Sequence, residues 1–279
     1  DEGTLYAARF NADGTGEWIE LTAGKNNLTA ANGFPTQAEV VIDARTAGDV
    51  AGATYMDRPE WIAVHPRSKE VFVTLSNNTA RGKGKPLHRK DPLGADAANP
   101  RAPNLMGHVV RWLETDGDPA STTFKWDVFL QAGDPDHAEE VKRGNVKGRV
   151  AFAQPDGCHV DQRGVLWIQT DSSAQNMASK DWANIGNNQM VAADPSTGEV
   201  RRFLTGPIGC EITGIMLTPD LRTMFVNIQR PGEAPLAHPG RNDPARPTAI
   251  SAWPDGPSGG RPRSATIAIR RKDGGIVGT

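Results

Sequence analysis

The residues best equipped for chemistry stand in Met56-Asp57-Arg58-Pro59-Glu60-Trp61, where a guanidinium, a proline and a carboxylate follow one another. Arginine offers a planar donor fork suited to phosphate or carboxylate. Proline fixes φ and has no N–H, so Pro59 suits the first residue of a strand better than its middle. The apolar run Trp61–Val64 follows at once, which puts Glu60 at the mouth of that strand. Arg58 lies two residues before Glu60, on the same side of an extended chain. Taken alone, the arrangement reads equally as an exposed ion pair at a loop–strand junction or as charge held on a rigid scaffold.

The arrangement recurs. When the apolar hairpins are aligned on their turns, His65, Asp161 and Thr218 each follow a first strand. Glu60, Asp156 and Thr213 then take the same place near the start of those strands, and Glu211, two residues before Thr213, points to the same side. The returning strands end at Asn77, Asp171 and Arg230, which are therefore expected to rim the same opening. Converging carboxylates repel one another, so either their pKa values rise or a cation neutralises them. An all-oxygen set with amide helpers suits a hard cation, Ca²⁺ first. The competing reading of each acid alone is a loop cap satisfying backbone donors. The six histidines form no zinc spacing, and His65, His108 and His159 read as structural or turn residues. The sequence has no phosphate-cradling glycine loop and no Cys-x-x-Cys.

The elements that must position these residues are hairpins. Short β-branched or aromatic runs flank polar turns throughout, with Asp-Gly at 13–14 and 116–117 as strong hairpin signals. Hairpins with an apolar leading strand (61–75, 158–170, 213–228) alternate with more mixed ones (5–21, 108–130, 189–204, 265–277). One of each makes a four-stranded meander, the blade of a β-propeller. The expectation is an all-β chain holding about three and a half blades of an incomplete propeller, preferred over a β-sandwich. Residues 1–279 then form a single propeller portion with long loops at about 76–107, 131–154 and 231–263. Such loops are uncommon in compact domains and usually serve as lids or binding loops. Residues 38–45 read as a helical turn or a strand, and 131–150 as loop or short helix.

The bulk properties exclude several classes. With 31 basic and 33 acidic residues and a net charge of −2, no overall field favours nucleic acid or an anionic membrane. No apolar run approaches the ~20 residues of a membrane helix. Cys158 and Cys210 could pair, but two buried thiols are the expected state. The first residues already read as a strand, which suggests a piece of a longer polypeptide.

At these motifs the chain resembles the C-terminal portion of the PhoX-type alkaline phosphatases. The resemblance runs through Met56–Trp61, Thr74-Leu75-Ser76-Asn77-Asn78, Ala98-Asn99-Pro100-Arg101, Gln154-Pro155-Asp156-Gly157, Leu166–Asp171, Gly186–Met190, Gly209–Gly214, and Met224–Gln229 continuing to Glu233. It implies a secreted or periplasmic β-propeller that hydrolyses phosphate monoesters for phosphate acquisition, with Ca²⁺ and Fe³⁺ at its site. It implies a phosphate-contacting role for Arg58 and metal-ligand roles for Glu60, Asp156 and Glu211, while Asn77, from its place on the rim, is expected to bind substrate beside Arg58. Asp171 joins that set through its position on the rim. The family's iron-bridging cysteine sits in an Asn-Cys-Ala-Gly-Gly segment this chain does not contain, so iron is expected only in the complete enzyme. A missing N-terminal half, or a second copy, would complete the propeller. Two other readings stay open: a calcium-dependent propeller lactonase or esterase, and a non-catalytic calcium-binding propeller.

Overall fold

The computed structural model describes residues 3–84, 92–136 and 150–279. Its strands are β1 (Tyr6–Phe10), β2 (Thr15–Glu20), β3 (Pro59–Val64), β4 (Val71–Leu75), β5 (His108–Glu114), β6 (Thr123–Gln131) and β7 (Pro155–Val160). They continue with β8 (Leu166–Thr170), β9 (Gln189–Ala193), β10 (Val200–Thr205), β11 (Glu211–Leu217), β12 (Met224–Gln229) and β13 (Ala265–Ile269). All pair antiparallel, in three sheets ordered β1-β2-β6-β5-β4-β3, β10-β9-β8-β7 and β11-β12-β13. Two helices, α1 (Gln37–Ile42) and α2 (Ala44–Ala51), fill the stretch the sequence left undecided. Thr36 and Glu39 start α1 with a capping box, and Gly52 in the left-handed region ends α2.

The expected four-strand unit forms twice within this arrangement, as β3-β4-β5-β6 and as β7-β8-β9-β10. The N-terminal hairpin departs from expectation. It does not stand as half a blade but extends the first sheet to six strands through β2–β6 pairing. The cause is aromatic burial: Phe10 and Trp18 meet Trp112, Phe124 and Trp126 edge-on or tilted, at centroid separations of 5.2–6.2 Å. Gly16 permits the approach, because a Cβ there would lie 2.0 Å from the Phe124 ring. Among the described residues the third sheet has three strands, and Ile276–Val277 pairs with none of them. Val277 instead donates its N–H to Leu221 and accepts from Arg163, tying the third sheet to the second. The part of the 131–154 loop at 137–149 and the part of the 76–107 loop at 85–91 lie outside the described residues.

Strand alternation explains the packing. Leu166 and Ile168 of β8 join Phe72, Val109 and Phe129 in the core between the first and second sheets, while Trp167 turns to the other face. There it packs with Ile212, Met224, Val226 and Ile228 of the third sheet. The leading strands β3, β7 and β11 consequently run side by side. Among the described residues no helix is long and apolar enough to cross a membrane.

An irregularity recurs in the three leading hairpins. In the first, Pro59 faces Leu75 and Ile62 faces Val73, so Glu60 and Trp61 together oppose Thr74. In the second, Pro155 faces Thr170 and Cys158 faces Ile168, so Asp156 and Gly157 oppose Gln169. In the third the register slips between Thr213 and Ile215, at Gly214. Bulges of this kind bend a strand and re-aim its side chains.

Candidate active site

Three of the acids come together. Asp156 near the start of β7, Asp171 just past the end of β8 and Glu211 at the start of β11 each offer a carboxylate oxygen, and these lie within 4.8 Å of one another. Asp156 and Asp171 are half-buried, and Glu211 is buried, with 8% of its surface exposed. Burial pushes Asp156 up to about 6, and the charges of Glu60 and Asp171 add to that. Burial likewise pushes Glu211 up to about 7, with Asp171 adding and Arg230 opposing. The Arg230 guanidinium clamps the cluster from outside, donating to Asp171 (2.5 Å) and Glu211 (2.9 Å) and pairing with Glu233 (3.4 Å). Gln229 donates to the same Glu211 oxygen at 2.5 Å.

Arg58 and Glu60 form the neighbouring group. Arg58 donates to Glu60 (3.2 Å) and to Asn77 (3.2 Å) while its side chain remains 60% exposed. Its backbone lies in the left-handed region, at φ 49°, which for a non-glycine residue must be imposed by the surroundings. The surroundings are specific. Arg58 accepts a hydrogen bond from the Ser76 N–H, and the preceding Asp57 is locked in a fully buried ion pair with Arg81 at 2.6 Å. Asn104 donates to the other Asp57 oxygen (3.0 Å), and Asn99 accepts from the Asp57 N–H (3.0 Å). His108 completes this interior, with one ring nitrogen against Asn104 (3.0 Å) and the other against the Ala98 carbonyl (2.8 Å). Where it is described, the polar tract 76–107 therefore serves as the anchor under Arg58.

A set of converging, buried or half-buried carboxylates, two of them with raised pKa, is the donor chemistry of a hard divalent cation, which restores their ionised form. The residues present fit Ca²⁺. They supply no thiolate: Cys158 and Cys210 are free, buried in apolar clusters and pushed up to about 12 by that burial.

A sequence model described as alkaline phosphatase PhoX matches residues 1–232. The chain belongs to the PhoX family. It is 46% identical to the PhoX of Pseudomonas fluorescens, solved in complex with vanadate, a transition state analogue, and superposes on it with a TM-score of 0.86. That alignment covers 100% of this chain and 46% of the other, so the chain spans about half the length of its solved relative. No curated protein matches it significantly.

Within this PhoX-family chain, the sequence singled out Arg58, Glu60, Asn77, Asp156, Asp171 and Glu211. The structure gathers them into two adjoining groups, Arg58–Glu60–Asn77 and Asp156–Asp171–Glu211. Electrostatic coupling of Asp156 to both Glu60 and Arg58 joins the groups. The buried Asp57–Arg81–Asn104–His108 interior escaped the sequence reading. Only His108 was marked there, as a structural or turn residue; Arg81 and Asn104 stand in a polar tract, where nothing in the sequence separates them from solvated side chains.

Proposed function

We propose that this chain carries part of the active site of a metal-dependent phosphomonoesterase. The observation that carries the reading is the convergence of Asp156, Asp171 and Glu211 beside an exposed, backbone-fixed Arg58, in a chain 46% identical to a relative that binds vanadate. Glu60, Asp156, Glu211 and Asp171 hold Ca²⁺, which supplies electrostatic stabilisation to the phosphoryl oxygens. Arg58 faces the substrate and offers two N–H groups to the phosphoryl oxygens, where developing charge makes a fixed donor most valuable. Asn77 orients Arg58 and reaches the same oxygens. Arg230 offsets the charge of the acids and keeps Asp171 and Glu211 turned inward. Fe³⁺, implied by the family, is expected only in the complete enzyme.

The three sheets are blades of one propeller spanning 1–279, with the leading strands β3, β7 and β11 around its channel. The remaining length that the relative spans completes the ring. Exposed apolar residues on the leading strands and their neighbours, Ile62, Val64, Met216 and Phe225, fit that arrangement. The enzyme acts in the periplasm or outside the cell, releasing phosphate from monoesters.

The test is hydrolysis of p-nitrophenyl phosphate by the full-length protein before and after chelation. Chelation is expected to abolish turnover and to lower Tm, since a ligand that binds only the folded state stabilises it by mass action, and Ca²⁺ is expected to restore both. Full activity in excess chelator, or activity on a lactone in place of the phosphate, overturns the reading.

A further inference from the structure

Glu60 and Asp156 stand on different sheets, so no single hairpin sets their separation. One side chain bridges them. Thr74, fully buried on β4, faces the bulge that carries Glu60. Its hydroxyl accepts from the Trp61 N–H at 3.0 Å and donates to the Asp156 carbonyl at 2.5 Å, with the Trp61 carbonyl a more distant acceptor at 3.2 Å. A hydroxyl has one proton, and the nearer acceptor takes it. The same atom therefore pins the peptide after Glu60 and the peptide of Asp156.

The equivalent residues of the other hairpins do not do this. Gln169, opposite the second bulge, lies against Gly157, and its amide has no protein partner among the described residues. Asn227, opposite the third, accepts from Thr266 on the adjacent strand of its own sheet. Among the described residues Thr74 is the one of the three whose hydroxyl or amide bonds cross to the next sheet.

We propose that Thr74 is a positioning residue for metal binding, setting the spacing of Glu60 and Asp156 by tying the two bulges together. This rests on the metal-dependent reading above. A valine has nearly the same shape and neither bond, whereas a serine keeps both.

The experiment compares Thr74→Val and Thr74→Ser in the full-length protein. It reads Ca²⁺ binding to chelated protein by calorimetry, and kcat and KM for p-nitrophenyl phosphate across a Ca²⁺ titration. Thr74→Val is expected to weaken Ca²⁺ binding and lower kcat by about 10–100-fold, the usual cost of losing an outer partner of a metal ligand, with KM nearly unchanged. Thr74→Ser is expected to stay near wild type in both. Wild-type Ca²⁺ affinity and kcat in Thr74→Val overturn the proposal, whatever happens to Tm. Equal losses in the valine and serine variants also overturn it, because they would mark a packing role. If Thr74→Val does not fold, Thr74→Cys, close in shape with a weaker donor, is read against the same outcomes. Glu60→Gln and Asp156→Asn separate the two readings. If they leave activity and Ca²⁺ binding intact, the metal site itself is wrong; if they abolish both while Thr74→Val does not, only the role of Thr74 falls.

Discussion

The anchor beneath Arg58 makes a quantitative test. Arg81 and Asp57 are both fully buried and meet at 2.6 Å. Arg81 also donates to the Tyr55 carbonyl (2.6 Å), the Gly94 carbonyl (2.8 Å) and Asp96 (3.2 Å). Arg81→Met removes the cation and these bonds, leaving the Asp57 carboxylate in the interior with amide donors alone. Breaking one partner of a buried pair costs about 3–5 kcal/mol, chiefly through the charge left behind. A chain of this size shifts by roughly 2–4 °C per kcal/mol, so the Tm should fall by roughly 6–20 °C. The double variant Asp57→Asn/Arg81→Met removes the stranded charge while keeping an oxygen for Asn104, and should recover part of the loss. Denaturant melts of the four proteins in the cycle supply the numbers. A loss under about 1 kcal/mol in Arg81→Met, or a double variant worse than the sum of the singles, would refute the idea that the buried charge governs this interior.

Arg58→Lys keeps the positive charge and loses the planar fork; it should preserve fold and Ca²⁺ binding and lower kcat/KM by on the order of 10²-fold. Wild-type kinetics for that variant would end the claim that Arg58 takes the phosphate. His108 yields a pH dependence: burial, with Arg101 and Arg81, lowers its pKa to about 4, against the partial opposition of the Ala98 carbonyl and Asp57. The native state therefore holds it neutral while the unfolded chain takes up a proton near pH 6.5, so its stabilisation is complete above that pH. It is lost as pH falls towards 4, with a slope of at most about 1.4 kcal/mol per pH unit. Stability of His108→Gln measured between pH 4.5 and 7 should show a shallower acid limb than wild type, and parallel curves would refute the assignment.

How much of this was legible in the sequence depends on the range of the interaction. The hairpins were readable because their signals are local. Asp13 accepts from the Thr15 N–H and hydroxyl around Gly14 at φ 83°, which is a turn written into four consecutive residues. The alignment of Glu60 with Asp156 was readable too, because turn position and strand period are sequence quantities. The fate of the first hairpin was not. Its attachment to β6 depends on Phe10 and Trp18 finding Trp112, Phe124 and Trp126 about a hundred positions away, and no local pattern selects that partner over solvent or a separate blade.

The same limit explains why the candidate acids stand out in the sequence and their supports do not. A carboxylate at a strand end is conspicuous because the sequence around it is apolar. Thr74 and Arg81 look ordinary because threonine is common in strands and arginine in polar loops. What makes each of them matter is burial, 0% and 1% exposed, together with partners on other elements: Asp156 on the next sheet for Thr74, Asp57 and the Tyr55 and Gly94 carbonyls for Arg81. Exposed Arg58 and half-buried Asp156 are held by groups that are themselves completely enclosed. If rigidity flows outward from those enclosed groups, then substitutions at Thr74 and Arg81 should alter metal binding and turnover although neither side chain reaches the substrate. Substitutions at the exposed turn residues Asp13 and Asp116, which share the strand ends but none of these connections, should alter neither.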